Sequence, residues 1–161
     1  MYKVAALYKF SKIQDPLELH NKIRIKLKDL SVYGTILVAN EGLNGTISAS
    51  NNEKLISALN FIKSIKGFDD LDIKYSTSEK NPFVRLKVKL KKEIVTMGDE
   101  SIDPTMLVGE YVDPKDWNDL IEDKNTIIID TRNNYEYSIG TFKNSINPET
   151  KKFKEFPKWI D

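Results

Sequence analysis

The side chains with the clearest chemical potential sit near the end of the chain. In "NTIIIDTRNNYEYSIGTF" (125–142) an apolar run, Ile127 to Ile129, leads into Asp130, Thr131 and Arg132, with Glu136 and Tyr137 on the following segment. Open α/β sheets place their ligands at the C-terminal ends of parallel strands, and an arginine there can grip an anion through its planar fork. The internal alternative is that Asp130 caps the next short helix while Arg132 pairs with Glu136. A second set, Lys87, Lys89 and Lys91, alternates with Leu86, Val88 and Leu90 within "FVRLKVKLKKEIV" (83–95), so three ammonium groups share one face of a strand. Such a row is either a phosphate-contacting edge or an ordinary solvated face.

Composition limits what these groups can be part of. The 161 residues include no cysteine, which rules out a disulfide framework, a thiolate metal site and a cysteine nucleophile within the sequence. With His20 as the one histidine, a histidine-based transition-metal centre is not expected, and no motif names a cofactor. Apolar content of 40% and charge of 30% describe a folded chain and not a disordered one. No stretch is apolar enough to span a bilayer and the start lacks the layout of a secretory signal, so the expected location is the cytoplasm. The net charge of +1 is unevenly spread: residues 1–95 hold 17 Lys+Arg against 10 Asp+Glu, and 96–161 hold 8 against 14. A basic first part at +7 and an acidic second part at −6 suggest different partners, the basic one facing an anion such as RNA, although a lysine-coated surface gives the same balance.

The elements that must position these groups can be read in order. "KVAALYKF" (3–10) suits a central strand. Asp15 and Pro16 then form a cap-plus-proline start to a helix whose apolar stripe is Leu19, Ile23, Leu27 and Leu30, with His20 at its boundary. "YGTILVANEGLNGTISAS" (33–50) reads as two strands joined over residues 40–45. Its Gly42-Leu43-Asn44-Gly45 matches a loop that clamps nucleic-acid backbone between two helices, but between strands a hairpin is the better reading. Ser50 to Glu53 resembles a capping box opening a second helix with Leu55, Leu59 and Ile62 on one face and Gly67 past its end. Strands over 71–78 and 83–95 complete βαββαβ plus one strand, an α+β ferredoxin-like domain over 1–95. Tyr8, Phe10 and Tyr75 could stack bases on such a sheet or belong to its core. An acylphosphatase would need an arginine and glycines in the first strand-to-helix loop, and "KFSKIQDP" has neither.

Residues 96–104 read as a linker. From 105 on, a helix starting at Asp113-Pro114 with Trp117, Leu120 and Ile121 as its buried side precedes the strand 126–130, the rhythm of a parallel α/β sheet. Too few residues follow to cover both faces of that sheet, so 105–161 is expected to be an incomplete α/β unit, with part of 143–161 irregular or packed on a neighbour.

"IIIDTRNNYEYSIGTFKNSINP" resembles the rhodanese signature, with Thr141 where that signature usually has histidine. "LYKFSKIQDP", "GTILVANEGLNGTIS", "VRLKVKLKKEIVTMG" and "VGEYVDPKDWNDLI" are similar to successive blocks of the bacterial tRNA uridine-34 hydroxylases, and the resemblance covers essentially the whole chain. It implies an acylphosphatase-like, ferredoxin-like domain followed by a rhodanese-like domain, and oxygen-dependent formation of 5-hydroxyuridine at the wobble position of tRNA. In that family the chemistry is attributed to a cysteine in a Cys-Thr-Gly-Gly-type loop after the next strand, so this chain is expected to stop short of it and to be inactive alone. Asp130 and Arg132 would then border the missing loop, Glu136 and Tyr137 would hold that rim, and Lys87, Lys89 and Lys91 would contact tRNA. Two alternatives remain: a non-catalytic RNA- or partner-binding module, and part of a rhodanese-type sulfurtransferase. Cofactor and oligomeric state stay unassigned.

Overall fold

The computed structural model describes residues 1–98, 106 and 109–160. Two compact units divide the chain, the first running from Met1 to Val95. The linker expected over 96–104 falls, from residue 99 onward, outside the described residues.

The first unit follows the element order read from the sequence: β1 (Tyr2–Phe10), α1 (Pro16–Asp29), β2 (Tyr33–Ala39), β3 (Gly42–Ala49), α2 (Asn52–Lys63), β4 (Asp72–Ser78) and β5 (Leu86–Leu90). The sheet order is β4-β1-β3-β2-β5, with β5 parallel to β2 and every other pair antiparallel. The first four strands give the ferredoxin-like arrangement, and β5 extends its edge. Local signals explain most boundaries. The Asp15 carboxylate accepts the Glu18 N–H at 2.8 Å and Pro16 occupies the first turn of α1, where a missing N–H costs nothing. The cap of α2 is Asn51, one residue later than expected, because its side chain accepts the Glu53 N–H at 2.7 Å. The hairpin turn is also tighter than expected: only Asn40 and Glu41 separate β2 from β3, so Asn44 and Gly45 lie inside a strand. Gly34 in β2 has φ +134°, and a Cβ there would stand 2.2 Å from the Thr46 carbonyl oxygen of β3, so this close approach requires glycine.

One face of the sheet carries the core. Ala5, Leu7, Ile36, Val38, Leu43 and Ile47 point to the side where α1 and α2 lie, and they meet Leu19, Ile23 and Leu27 of α1 and Leu55, Leu59 and Ile62 of α2. Phe68, just past Gly67, is fully buried in the same layer. His20 closes the edge: its Nε2 lies 3.1 Å from the carbonyl oxygen of Val88 on β5, which makes it a boundary residue.

The second unit is organised differently. A 3-10 turn (Pro114–Asp116) runs into α3 (Trp117–Glu122), and α4 (Asn134–Ile139) and α5 (Phe156–Ile160) follow. The parallel strand expected over 126–130 reduces to one bridge, Ile129 with Ile146, in which Ile146 donates to the Ile128 carbonyl at 2.8 Å and Asp130 donates to the Ile146 carbonyl at 3.0 Å. A parallel strand needs partners along its length, and among the described residues this one pairs only at Ile146. Ile127 is accordingly 73% exposed, and Leu120, expected to be buried, is exposed on α3. Among the described residues every buried large apolar side chain lies between Val4 and Ile94. In the second unit the buried residues, among those described, are Asp130, Pro148 and Thr150.

Removing a side chain from the single core should therefore be costly. Ile23→Ala is expected to lower stability by about 2–5 kcal/mol, while Lys26→Ala on the exposed side of α1 stays within about 0.5 kcal/mol. Urea denaturation followed by far-UV circular dichroism measures both.

Candidate functional site

Asp130 is the organising group of the second unit. Its Oδ1 accepts from Nε of Arg132 at 2.9 Å and from the Arg132 backbone N–H at 3.2 Å. Its Oδ2 accepts from Nη2 of Arg132 at 2.6 Å and from the Thr141 hydroxyl at 2.8 Å. Nη2 also donates to the Gly140 carbonyl at 2.7 Å, and Thr141 shares a 2.6 Å hydrogen bond with the Ser145 hydroxyl. The Tyr137 hydroxyl donates to the Ser145 carbonyl at 3.1 Å. One fork-to-carboxylate pair thus ties the end of the bridge segment to the turn that follows α4.

Two expectations about this region change. Arg132 pairs with Asp130 and not with Glu136, and Asp130 does not cap α4, because Asn133 stands at that cap. Glu136 serves the cap instead: its carboxylate accepts from the Asn133 N–H at 3.2 Å and from the Asn133 side-chain amide at 2.9 Å. The sequence gives Thr141 and Ser145 no role of their own, although Thr141 occupies the position where the resembling signature has another hydrogen-bonding side chain.

The electrostatics settle what Asp130 can do. Hydrogen bonding from Arg132, opposed by burial and reinforced by Thr141, holds its carboxyl well below the usual carboxylate range, and Asp130 in turn raises Arg132. A carboxylate with four donors and a depressed pKa is a poor proton acceptor near neutral pH, and the geometry suits Asp130 to clamping Arg132. Arg132 remains half exposed, with Nη1 making no hydrogen bond among the described residues, which leaves one side of the guanidinium for an anion.

The other candidate groups lie on the first unit. Lys87 and Lys89 pair in register with Thr35 and Leu37, on the sheet face opposite the helices, and both are exposed. Lys91 follows β5, and its N–H donates to the Val38 carbonyl at 2.8 Å. The register also places Ala6, Tyr8 and Phe10 of β1 and Lys74 of β4 on this open face, with Tyr8 and Phe10 edge to face at 5.7 Å. Tyr75 pairs with Ala5 and so points to the helix side, apart from the other two aromatics. Lys74 escapes a reading of the sequence because its face is fixed only by the pairing with β1.

The family described as the UPF0176 acylphosphatase-like domain matches residues 2–94. The chain belongs to that family. Among curated proteins, the tRNA uridine(34) hydroxylase of Bartonella quintana is 50% identical over 161 residues, covering 99% of this chain and 52% of the relative. That of Brucella ovis is 48% identical over 165 residues, with the same coverage of 99% and 52%. The chain spans about half the length of the curated relatives it matches. Among solved structures, an acylphosphatase from Bacillus subtilis aligns with a TM-score of 0.44 at 13% identity, over 55% of this chain and 99% of that one.

Among the described residues of this UPF0176 member, no three His, Asp or Glu side chains gather as a metal site would require, and no helix is long and apolar enough to cross a membrane.

The clamp makes a pH-dependent prediction. Because its folded pKa is depressed, Asp130 contributes stability that is present above the ordinary carboxylate value of about 3.9 and is lost as pH falls through the lowered folded value. The Arg132 Nε–H resonance in a proton–nitrogen spectrum should therefore hold its position from neutral pH down to about 4 and shift only below that. Asp130→Asn should move it at every pH. A midpoint at the ordinary aspartate value would contradict the clamp.

Proposed function

We propose that this chain supplies the first half of a tRNA uridine-34 hydroxylase, which forms 5-hydroxyuridine at the wobble position of tRNA in an oxygen-dependent reaction. The observation that carries the reading is the identity of about half over 99% of this chain to relatives that bear that name. On this reading the first unit holds tRNA, with Lys87, Lys89 and Lys91 against its phosphates. The second unit begins a rhodanese-like domain in which Arg132, held by Asp130, stands at the rim of the reactive loop and Glu136 keeps α4 in place behind it. The reactive cysteine would be contributed by sequence corresponding to the relatives' second half, since these residues contain none. That second half would also cover the apolar side chains exposed here, including Ile127, Ile139 and Ile146. We infer that the reaction takes place in the cytoplasm, where tRNA is found.

A chimera tests the assignment. This chain joined to the second half of the Bartonella quintana relative, expressed in a strain that lacks 5-hydroxyuridine, should restore the nucleoside as measured by mass spectrometry of digested tRNA. The chain alone should restore none. If the intact relative restores it and a soluble chimera does not, the assignment fails. Formation of thiocyanate from thiosulfate and cyanide by the chimera, without 5-hydroxyuridine, would point to sulfur transfer instead.

A further inference from the structure

The open face of the sheet is not flat. Among the described residues the chain crosses it twice. Residues 79–85, which carry the chain from β4 to β5, are fastened where Ser48 of β3 donates its hydroxyl to the Asn81 side-chain oxygen at 2.8 Å, an oxygen that also accepts the Phe83 N–H at 3.1 Å. Residues 91–95 turn back over the opposite end. There Ile94 is buried, its N–H donates to the Glu41 carboxylate at 2.6 Å, and its carbonyl accepts from the Asn44 side-chain amide at 3.0 Å. Ile94 stands outside the helix-side core layer, so it seals this second face. Asn44 and Ser48 sit on the same strand with Thr46 between them, so the two fastening points are about 14 Å apart at about 3.4 Å per residue.

Between these walls the floor is low. Its central positions are Ala6, Thr46 and Thr35, aligned across β1, β3 and β2, and Ala6 is exposed. Lysines stand at both ends of that row. Lys74 pairs with Ala6 at the β4 edge, and Lys87 pairs with Thr35 at the β5 edge, with Lys89 beside it. Four interstrand steps of about 4.8 Å separate the two edges by about 19 Å. Next to Lys74 a shallow pocket of ≈ 250 Å³ is lined by Tyr8, Asn44, Thr46 and Val95, with Asp72 as its carboxylate.

We propose that this channel takes a single, unpaired RNA strand running across the strands of the sheet, from Lys74 to Lys87 and Lys89, with one base set into the Tyr8 pocket. The inference rests on the reading of the first unit as the tRNA-holding part, and it narrows that reading from tRNA in general to an unpaired segment. Three observations support it. The lysines bracket a path along which phosphates would repeat; among the described strand residues Asp72 is the only acidic side chain on that face, and the Glu41 carboxylate at its end is engaged by the Ile94 N–H. The floor of small side chains admits a backbone, while the Thr46 hydroxyl in the pocket can bond the edge of a splayed base, which a duplex turns inward. With fastening points about 14 Å apart, the crossings leave no room between them for a nucleic-acid double helix.

The test is a salt titration of the full chain against an unpaired oligoribonucleotide, a duplex of the same length and unmodified tRNA. Lys74→Gln, Lys87→Gln and Lys89→Gln together should weaken binding to the unpaired strand and reduce the slope of log K against log salt by about 2, at about 0.7 for each phosphate no longer neutralised. Lys54→Gln with Lys63→Gln and Lys28→Gln, which removes the same charge from the helix side, should leave the slope within about 0.5 of the original. Unpaired RNA should bind more tightly than duplex. If tRNA binds but both triple variants weaken it equally, or duplex binds as well as single strand, the channel is overturned while the tRNA-holding reading stands. If no RNA binds even at low salt, both fall.

Discussion

Burial of a single apolar layer between a five-stranded sheet and two helices is the constraint on which the rest of this structure depends. The layer is confined to one face, because β1, β2 and β3 each alternate core and non-core side chains with a period of two, and α1 and α2 both pack on the same side. Sidedness then fixes the second face. Once Leu7, Ile36 and Ile47 point inward, Ala6, Thr35 and Thr46 must point outward, and Lys87 and Lys89 with them. A shift of β5 by one residue would turn Lys87 and Lys89 toward the core and Leu86 and Val88 away from it, so the register that makes the unit stable also aligns its cationic row.

The same constraint explains why the second unit looks so unlike the first. Its apolar residues are numerous enough in sequence, yet Ile127, Ile139 and Ile146 remain exposed, and among the described residues a carboxylate is the point of convergence. Asp130 draws in Arg132, Thr141 and, through Arg132, the Gly140 carbonyl. A clamp of this kind shapes a rim without needing a packed interior. In it Asp130 holds the Arg132 guanidinium and Glu136 holds the start of α4.

Much of this was legible in the residues. Asp15-Pro16 and the Leu19, Ile23, Leu27 stripe specify α1 through local chemistry alone, and the alternation of Lys87 and Lys89 with Leu86 and Val88 shows that one face of β5 is apolar and the other is not. What was not legible depends on partners distant in sequence. Ile127 to Ile129 has the composition of a buried strand, but composition does not supply the neighbours a parallel strand requires, and among the described residues only Ile146 pairs with it. Arg132 had two carboxylates within reach in sequence, and only the turn geometry chose Asp130 over Glu136. Lys74 gained significance only when β4 paired with β1, and the two crossings that wall the open face are irregular segments with no periodic signature.

For the proposed function, the central question is which face of the first unit would meet RNA. The most direct measurement is a two-dimensional proton–nitrogen spectrum of the labelled chain during titration with an anticodon stem-loop. Resonance shifts should concentrate on Ala6, Tyr8, Thr46, Lys74, Lys87 and Lys89, with α1 and α2 unmoved. Shifts confined to the two helices, with the open face silent, would contradict a channel on the open face.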